Sequence, residues 1–248
     1  MTMRSFLYCG IIVSFFASSY ARGNTLVIVL RTEEASIIAA DSKLAKTDGR
    51  DIGTACKIHI TDQFAWATSG ILNEPGGAFD IWATAETAIK AGGSFDEIVT
   101  RFDRELISQL KELPPRIKRI NPRSYDEALK SGHAATIIFV KNTDVRLSDF
   151  MLPNKADPDS IEVVDQSCPG NLCIATNSII SMMGYYEAAQ AEFVHNSKIW
   201  DQMGIVPALN YLMDIQHNTT PSMVAAPVSI LRIDKGGNFQ WLQKGVCN

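Results

Sequence analysis

Three residues near the start of the chain, Thr25, Asp41 and Lys57, bring together a hydroxyl, a carboxylate and an amine at the ends of apolar segments. A threonine hydroxyl attacks a carbonyl only when a neighbouring base takes its proton, and the free α-amine of an N-terminal threonine is such a base. A nearby lysine lowers the pKa of that amine, and a carboxylate keeps the lysine in place. The three residue types therefore predict a hydrolase that attacks amide carbonyls through Thr25.

The segments that carry these residues have the pattern of short buried strands. Residues 25–30 and 35–40 form one pair of apolar runs, and residues 57–60 and 64–69 form a second pair. Runs of this length, separated by short polar turns, predict two hairpins. Four successive strands with short turns favour one antiparallel sheet, in which the three residues would meet at one edge.

Each of the three residues also has an ordinary structural explanation. Thr25 suits any strand because β-branched residues favour strands. Asp41 suits a turn in which it accepts backbone N–H bonds, and Lys57 suits a solvated strand edge. The joint spacing of the three within the apolar pattern favours the catalytic interpretation.

The rest of the chain alternates between helical and strand-like patterns. Ser94 and Glu97 form a capping box that opens one helix, and Pro114 is expected to end it. Paired helices between runs of sheet predict an α+β fold of four layers, αββα, in which helix pairs flank two antiparallel sheets. No linker or repeat interrupts residues 25–248, which are predicted to form a single domain. The patterns predict helices over residues 79–91, 94–113, 178–193 and 207–217, and strands over residues 134–140, 161–164, 172–175, 226–233 and 239–242.

Residues 1–21 have the pattern of a cleaved secretory signal. Arg4 provides the positive start, residues 6–17 are apolar, and small residues lead up to a cleavage site after Ala21. The apolar run is too short for a comfortable permanent membrane span, so no stable membrane anchor is expected. The protein is expected to be secreted or periplasmic, with residues 22–24 as a short propeptide-like segment.

Export would place the remaining cysteines in an oxidising compartment. Cys168 and Cys173 enclose a Pro-Gly turn and are suited to a local disulfide, which leaves Cys56 and Cys247 as the second pair. The alternative is four buried free thiols. A zinc site is poorly supported because the histidines are scattered and no second close cysteine pair exists, and no cofactor is expected.

The composition limits the classes of function. Hydrophobic residues make up 46% of the chain and charged residues 20%, which is typical of a globular protein with a sizeable core. The formal net charge of −4 and the isoelectric point near 5.6 provide no electrostatic footprint for nucleic acid.

The segments TLVIVLRTEEASIIAADSK and ACKIHITDQFAWATSG resemble the start of a catalytic proteasome β-subunit and of its bacterial ring-protease relative. In that family a mature N-terminal threonine begins the first strand, an Ala-Ala-Asp-Ser turn supplies an aspartate, and the third strand supplies a lysine. Thr25, Asp41 and Lys57 fall on those positions without a gap. The chain is thus similar to the N-terminal-nucleophile (Ntn) hydrolases, whose fold is the four-layer sandwich.

The resemblance implies a threonine-type peptidase or amidohydrolase that works through an acyl-enzyme after self-cleavage exposes Thr25. It implies that the N–H of Gly70 faces the oxyanion and that Ser42, Thr176 and Ser178 support the nucleophile. It further implies a peptide or amide substrate and a homo-oligomer. One departure from the family is Asn24, which stands where those proteins have a glycine before the nucleophile.

Two other functions stay open. The first is a non-catalytic secreted binding or scaffold protein of the same fold, in which Thr25→Ala would change no phenotype. The second is an Ntn acylase that acts on a small amide, which a substrate panel would separate from a peptidase. Leu44, Ala55 and Thr68, which are expected near the pocket mouth, are apolar or small and hint at a hydrophobic substrate group.

Overall fold

The structure is a computed structural model that describes residues 25–45, 51–61, 63–72, 79–120, 133–151, 161–173 and 179–247, without the side chains of residues 52 and 113–120. The expected signal at residues 1–21 and the segment 22–24 lie outside the described residues. Among the helices that are described, none is both long and apolar enough to cross a membrane.

The strands are β1 (Leu26–Arg31), β2 (Ala35–Ala40), β3 (Lys43–Ala45), β4 (Asp51–Thr54), β5 (Ile58–Ile60), β6 (Ala65–Gly70), β7 (His133–Lys141), β8 (Asp144–Met151), β9 (Glu162–Cys168), β10 (Ile179–Gly184), β11 (Ser229–Asp234) and β12 (Phe239–Gln243). The helices are α1 (Ile81–Lys90), α2 (Phe95–Ile120), α3 (Glu187–His195), α4 (Ile199–Met203) and α5 (Ile205–Thr219), with a short 3-10 helix at Asn171–Cys173.

The strands form two five-stranded antiparallel sheets and a separate hairpin. The first sheet has the order β10-β1-β2-β11-β12, and the second sheet has the order β5-β6-β7-β8-β9. The hairpin β3–β4 comes between β2 and β5 along the chain and forms a two-stranded sheet of its own. The expectation of a mixed α+β fold with antiparallel sheets is confirmed.

Both predicted hairpins are present, but they belong to different sheets. β1 pairs with β2 in the first sheet, and β5 pairs with β6 in the second. The expectation of one sheet for all four strands is therefore wrong. Strands that are buried on both faces are continuous apolar runs, and such a run does not indicate which sheet the strand joins. The hairpin β3–β4 also separates the two pairs along the chain.

Helix α2 begins as predicted and ends later. Glu97 Oε2 accepts the backbone N–H of Ser94 at 2.7 Å, and Ser94 Oγ accepts the N–H of Glu97 at 3.3 Å, which is the capping box. The predicted end at residue 113 is wrong, because the helix continues through Pro114 and Pro115 to Ile120. The fixed φ of proline lies in the helical range, so proline costs a helix a hydrogen bond without forbidding its backbone.

The predicted helix over residues 178–193 is wrong in its first half. Residues Ile179–Gly184 form β10, which pairs along the whole of β1, and helix α3 starts only at Glu187. A short apolar run is compatible with a strand and with a buried helix. Here the segment is a strand because it pairs with the edge of β1 that β2 does not occupy. The sequence interpretation also missed β8, and the expected strand over residues 172–175 is a 3-10 helix where it is described.

The buried side chains form three clusters. One draws on both sheets, with Val27 and Ile38 from the first and Ile58 and Ile138 from the second. Another joins the opposite face of the second sheet to α1 and α2, around residues such as Phe102. The third joins the opposite face of the first sheet to α3 and α5. Each sheet thus contributes buried side chains to the cluster that it shares with the other sheet and to a cluster that it shares with helices.

Candidate active site

Thr25, Asp41 and Lys57 meet in the structure. The ε-amine of Lys57 donates to Thr25 Oγ1 at 2.6 Å, and it contacts Asp41 Oδ1 at 3.1 Å and Oδ2 at 3.2 Å. Each of the three residues is only 1% exposed. The amine therefore lies between the hydroxyl and the carboxylate, out of contact with bulk water.

The hairpin β1–β2 places Thr25 beside Asp41. Thr25 directly precedes β1 and Asp41 directly follows β2. The N–H of Leu26 donates to Asp41 Oδ1 at 2.8 Å, and the N–H of Asp41 donates to the Leu26 carbonyl at 3.2 Å. Lys57, in contrast, directly precedes β5 of the second sheet. The site therefore spans the two sheets.

Backbone groups hold the Asp41 carboxylate. Besides Leu26, the N–H of Lys43 donates to Oδ2 at 2.9 Å and the N–H of Ala225 approaches Oδ2 at 3.4 Å. Hydrogen bonds to an ionised carboxylate favour the charged form and restrict its rotation. Asp41 is thereby fixed as the anchor for the Lys57 amine.

Burial acts on both members of this ion pair. Burial lowers the pKa of the Lys57 amine, and the negative charge of Asp41 opposes this shift without cancelling it. Burial also raises the pKa of the Asp41 carboxyl, against which Lys57 and the backbone donors work. A lysine with a lowered pKa loses its proton more readily than a solvated one, so Lys57 is suited to exchange a proton with the hydroxyl it touches.

Ser42 contributes to this site through its backbone. Its N–H donates to the Ala225 carbonyl at 3.3 Å, and its carbonyl accepts the N–H of Ala55 at 2.9 Å. Its side chain is buried, and the hydroxyl has no hydrogen-bond partner among the described residues. The supporting role of the Ser42 side chain stays a prediction, as do the roles of Thr176 and Ser178, which lie outside the described residues.

Gly70 ends β6 in a conformation that requires glycine. Its φ is +101°, and an added Cβ would lie 2.5 Å from the Ala134 carbonyl oxygen and 2.6 Å from Ala135 Cα. Its expected function as an oxyanion donor stays a prediction.

Gly184, which the sequence interpretation missed, packs directly against the backbone of Thr25. Its φ is +83°, and an added Cβ would collide with the Thr25 carbonyl oxygen. That oxygen accepts the N–H of Tyr185 at 2.9 Å. A glycine at the end of an apolar run is typical of a strand end, but the wrong prediction of a helix over residues 178–193 placed Gly184 inside that helix.

The residues expected at the pocket mouth differ in their surroundings. Leu44 and Ala55 are half-buried, whereas Thr68 is fully buried. The indole N–H of Trp82 donates to Thr68 Oγ1 at 3.0 Å. Trp82 therefore covers the position at which a small side chain was expected to face a substrate.

Two disulfides are present, Cys56–Cys247 and Cys168–Cys173, as the cysteine pattern predicts. The first joins residues 191 positions apart and the second closes a local turn. Within the described ranges, no three His, Cys, Asp or Glu side chains are grouped as they would be around a metal ion.

Comparison with known proteins finds no matching family model and no matching curated protein. Among solved structures, the chain is similar to Anbu, described as an ancestral beta-subunit, from Yersinia bercovieri, with 11% identity, a TM-score of 0.49 and coverage of 88% of each chain.

Anbu from Hyphomicrobium sp. strain MC1 has 10% identity and a TM-score of 0.48, over 88% of this chain and 87% of that one. Eukaryotic HslV from Trypanosoma brucei has 13% identity and a TM-score of 0.43, over 84% of this chain and 99% of that one.

Proposed function

We propose that the protein is a threonine-type amide or peptide hydrolase whose nucleophile is the hydroxyl of Thr25. The observation that carries the proposal is the 2.6 Å contact of the Lys57 amine with Thr25 Oγ1, made by a lysine that Asp41 holds in a buried ion pair. A structural strand threonine has no need of such a partner. Two buried charges are also costly unless they are well paired, which favours a functional reason for their presence.

The four-layer αββα sandwich is part of this proposal. The apolar cluster shared by the two sheets supports a central interface, and the other two clusters support a helical layer on each outer face. Residues 25–248 would then form one Ntn-type domain.

In the proposed reaction, Thr25 Oγ1 attacks the amide carbon while the free α-amine of Thr25, directly or through a water, takes its proton. Lys57 stabilises the developing negative charge and keeps the pKa of the hydroxyl low. The N–H of Gly70 would stabilise the oxyanion. The amine of the substrate leaves with a proton, and a water molecule then hydrolyses the threonyl ester with the α-amine again as base.

The reaction requires that the bond between Asn24 and Thr25 be cut. The proposed route is attack of Thr25 Oγ1 on the Asn24 carbonyl carbon while Lys57 takes the hydroxyl proton. Transfer of the acyl group from nitrogen to oxygen frees the α-amine, and water then hydrolyses the ester. The alternative is that a signal peptidase cuts this bond directly.

Intact mass and N-terminal sequencing of the exported protein test this proposal, together with a β-lactone probe that acylates N-terminal threonines. We expect a mature chain that begins at Thr25 and carries one adduct on that residue, and no adduct in Thr25→Ala. A mature chain that begins at Arg22 and takes up no probe would refute it.

A non-catalytic binding protein of the same fold is the second candidate. The observation that favours it is the burial of Thr25, which is 1% exposed in the full-length chain. It predicts that the probe reacts equally little with the wild type and with Thr25→Ala. Labelling with no turnover of peptides but turnover of acyl amides would instead identify an acylase.

The expected location and assembly belong to the same proposal. Two disulfides support an oxidising compartment and hence a secreted or periplasmic protein. A homo-oligomer is implied by the resemblance, and light scattering of the mature protein would test it.

A further inference from the structure

The disulfide Cys56–Cys247 lies beside the candidate site in the chain and joins the two sheets that build it. Cys56 directly precedes Lys57, and Cys247 follows β12. β5 is the edge strand of the second sheet, whereas β12 is an edge strand of the first. Thr25 and Asp41 belong to the first sheet and Lys57 to the second, so this disulfide is a covalent link between the two halves of the site.

The backbone on either side of Lys57 is also held by strand pairing and by a backbone hydrogen bond. β5 is three residues long, and among the described strands it pairs with β6 alone, from Ile58 opposite Ala67 to Ile60 opposite Ala65. On the other side of Lys57, the N–H of Ala55 donates to the Ser42 carbonyl at 2.9 Å. A short edge strand is a weak support for an amine that must stay within hydrogen-bond distance of both a hydroxyl and a carboxylate.

A cavity borders both cysteines of this disulfide. It has a volume of about 420 Å³, and both Cys56 and Cys247 line it, together with residues such as His59, Trp66 and Trp241. Cys56 is half-buried and Cys247 is 5% exposed. A thiol the size of glutathione fits a space of this volume, whereas a folded reductase does not.

We propose, on the basis of the proposed function, that the Cys56–Cys247 disulfide is a positioning element for Lys57, and that a low-molecular-weight thiol entering this cavity opens it and disables the site. One thiolate attacks a sulfur of the disulfide and forms a mixed disulfide, and the other cysteine leaves as a thiol. A second thiol molecule resolves the mixed disulfide. Two protein thiols and one oxidised small-molecule disulfide result.

The second disulfide provides a matched control. Cys168–Cys173 spans five positions and begins at the end of β9, the opposite edge strand of the second sheet from β5. Both of its cysteines pack in the cluster between the sheets. Its removal costs stability without releasing the segment that carries Lys57.

The test compares C56S/C247S with C168S/C173S in the mature protein. The rate of β-lactone labelling at Thr25 is measured, and the pKa of Lys57 is followed by NMR of protein with ¹³C-labelled lysines, in which K57R identifies the resonance. For C56S/C247S we expect labelling about 100-fold slower, as displacement of a reacting group by about 1 Å produces. We also expect the Lys57 pKa to rise towards its ordinary value. The control pair should change neither quantity.

If the double variant does not fold, a titration of the wild type with reduced and oxidised glutathione tests the same effect of opening the Cys56–Cys247 disulfide on the labelling of Thr25. Labelling should fall reversibly as the Cys56–Cys247 bond opens, while the circular dichroism spectrum is retained. Unchanged labelling and an unchanged Lys57 pKa with the bond open would overturn the proposal, as would an equal loss in C168S/C173S. A wild type that never reacts, but whose Lys57 pKa shifts on opening, would refute the hydrolase function and support the positioning function.

Discussion

At the scale of the residue, the site is a buried amine held between two oxygen-bearing side chains. The Lys57 amine contacts the Thr25 hydroxyl and both oxygens of Asp41, and no side chain of the three is more than 1% exposed. Burial disfavours the charged form of each ionisable group, so small changes of neighbours have large effects on the charge of the site.

Replacing Lys57 should affect both reactivity and stability. We expect Lys57→Met to slow labelling of Thr25 by about 10²–10³-fold, since the amine that stabilises the developing negative charge and keeps the pKa of the hydroxyl low is lost. It should also lower the free energy of unfolding by about 3–5 kcal/mol, because Asp41 is left buried without its partner. Urea unfolding and mass-spectrometric labelling measure the two effects.

The control for this variant is Lys235→Met, in which an exposed lysine paired with Glu34 is removed. An exposed ion pair contributes little to stability, so this change should alter neither quantity appreciably. Labelling of Lys57→Met at the wild-type rate would contradict the proposed function of the amine.

Gly184 and Gly204 provide a second matched comparison. Both have a φ of +83°, but an added Cβ has nothing within 4 Å at Gly204 and collides with the Thr25 carbonyl at Gly184. Gly204 has a ψ of +167°, and we expect Gly204→Ala to cost about 1–3 kcal/mol from backbone strain alone. Gly184→Ala should cost about 1–3 kcal/mol more from the collision and should also slow labelling. Equal effects of the two variants on unfolding and labelling would show that Gly184 does not support Thr25.

At the scale of the element, helix α2 carries an acidic residue into its contact with the second sheet. Asp103 is 8% exposed, and its Oδ1 has no hydrogen-bond partner among the described residues. Burial, together with the charge of Asp165 and opposed only in part by Ser148, raises the pKa of the Asp103 carboxyl to about 7. The helix therefore packs best on the sheet when Asp103 is protonated.

The pH dependence of stability follows from this shift. Because the pKa is higher in the folded state than in the unfolded state, the contribution of Asp103 is fully favourable below about pH 4 and is lost as the pH rises through about 7. Asp103→Asn does not titrate. We expect its stability relative to the wild type to increase over that range by up to about 4 kcal/mol, at about 1.4 kcal/mol per pKa unit.

Urea unfolding at pH 4, 6 and 8 would measure this trend. Asp96→Asn on the same helix is the control, because Asp96 is exposed and bonded to Arg146. A gain for Asp103→Asn that is the same at all three pH values would show that the carboxyl titrates normally.

At the scale of the whole molecule, the proposed activity depends on where the mature chain begins. A chain of residues 25–248, released with a free α-amine on Thr25, should react with the β-lactone without any processing step. A chain that retains only Asn24 should react about 10²–10⁴-fold more slowly until that residue is removed, because its α-nitrogen is an amide and cannot act as a base. Time courses of labelling and intact mass for the two chains would show the difference. Equal initial rates would exclude the α-amine as the base.

The sequence alone was sufficient for the hairpin β1–β2, which brings Thr25 and Asp41 together at one end, and for the capping box at Ser94. These features depend on alternation, turn chemistry and short-range spacing, which are local properties of the chain. The disulfide pairing followed for a similar reason, because the Pro-Gly turn between Cys168 and Cys173 left one remaining pair.

Only the tertiary structure decided the features that depend on partners far away in the chain. β10 is a strand rather than a helix because it pairs with β1, and this pairing places Gly184 against the Thr25 carbonyl. The two early hairpins lie in different sheets because packing between the sheets, not local sequence, assigns them. The residue types and spacing of Thr25, Asp41 and Lys57 thus predict a chemistry. Their contact, in contrast, depends on packing between two sheets, which the Cys56–Cys247 disulfide links beside Lys57.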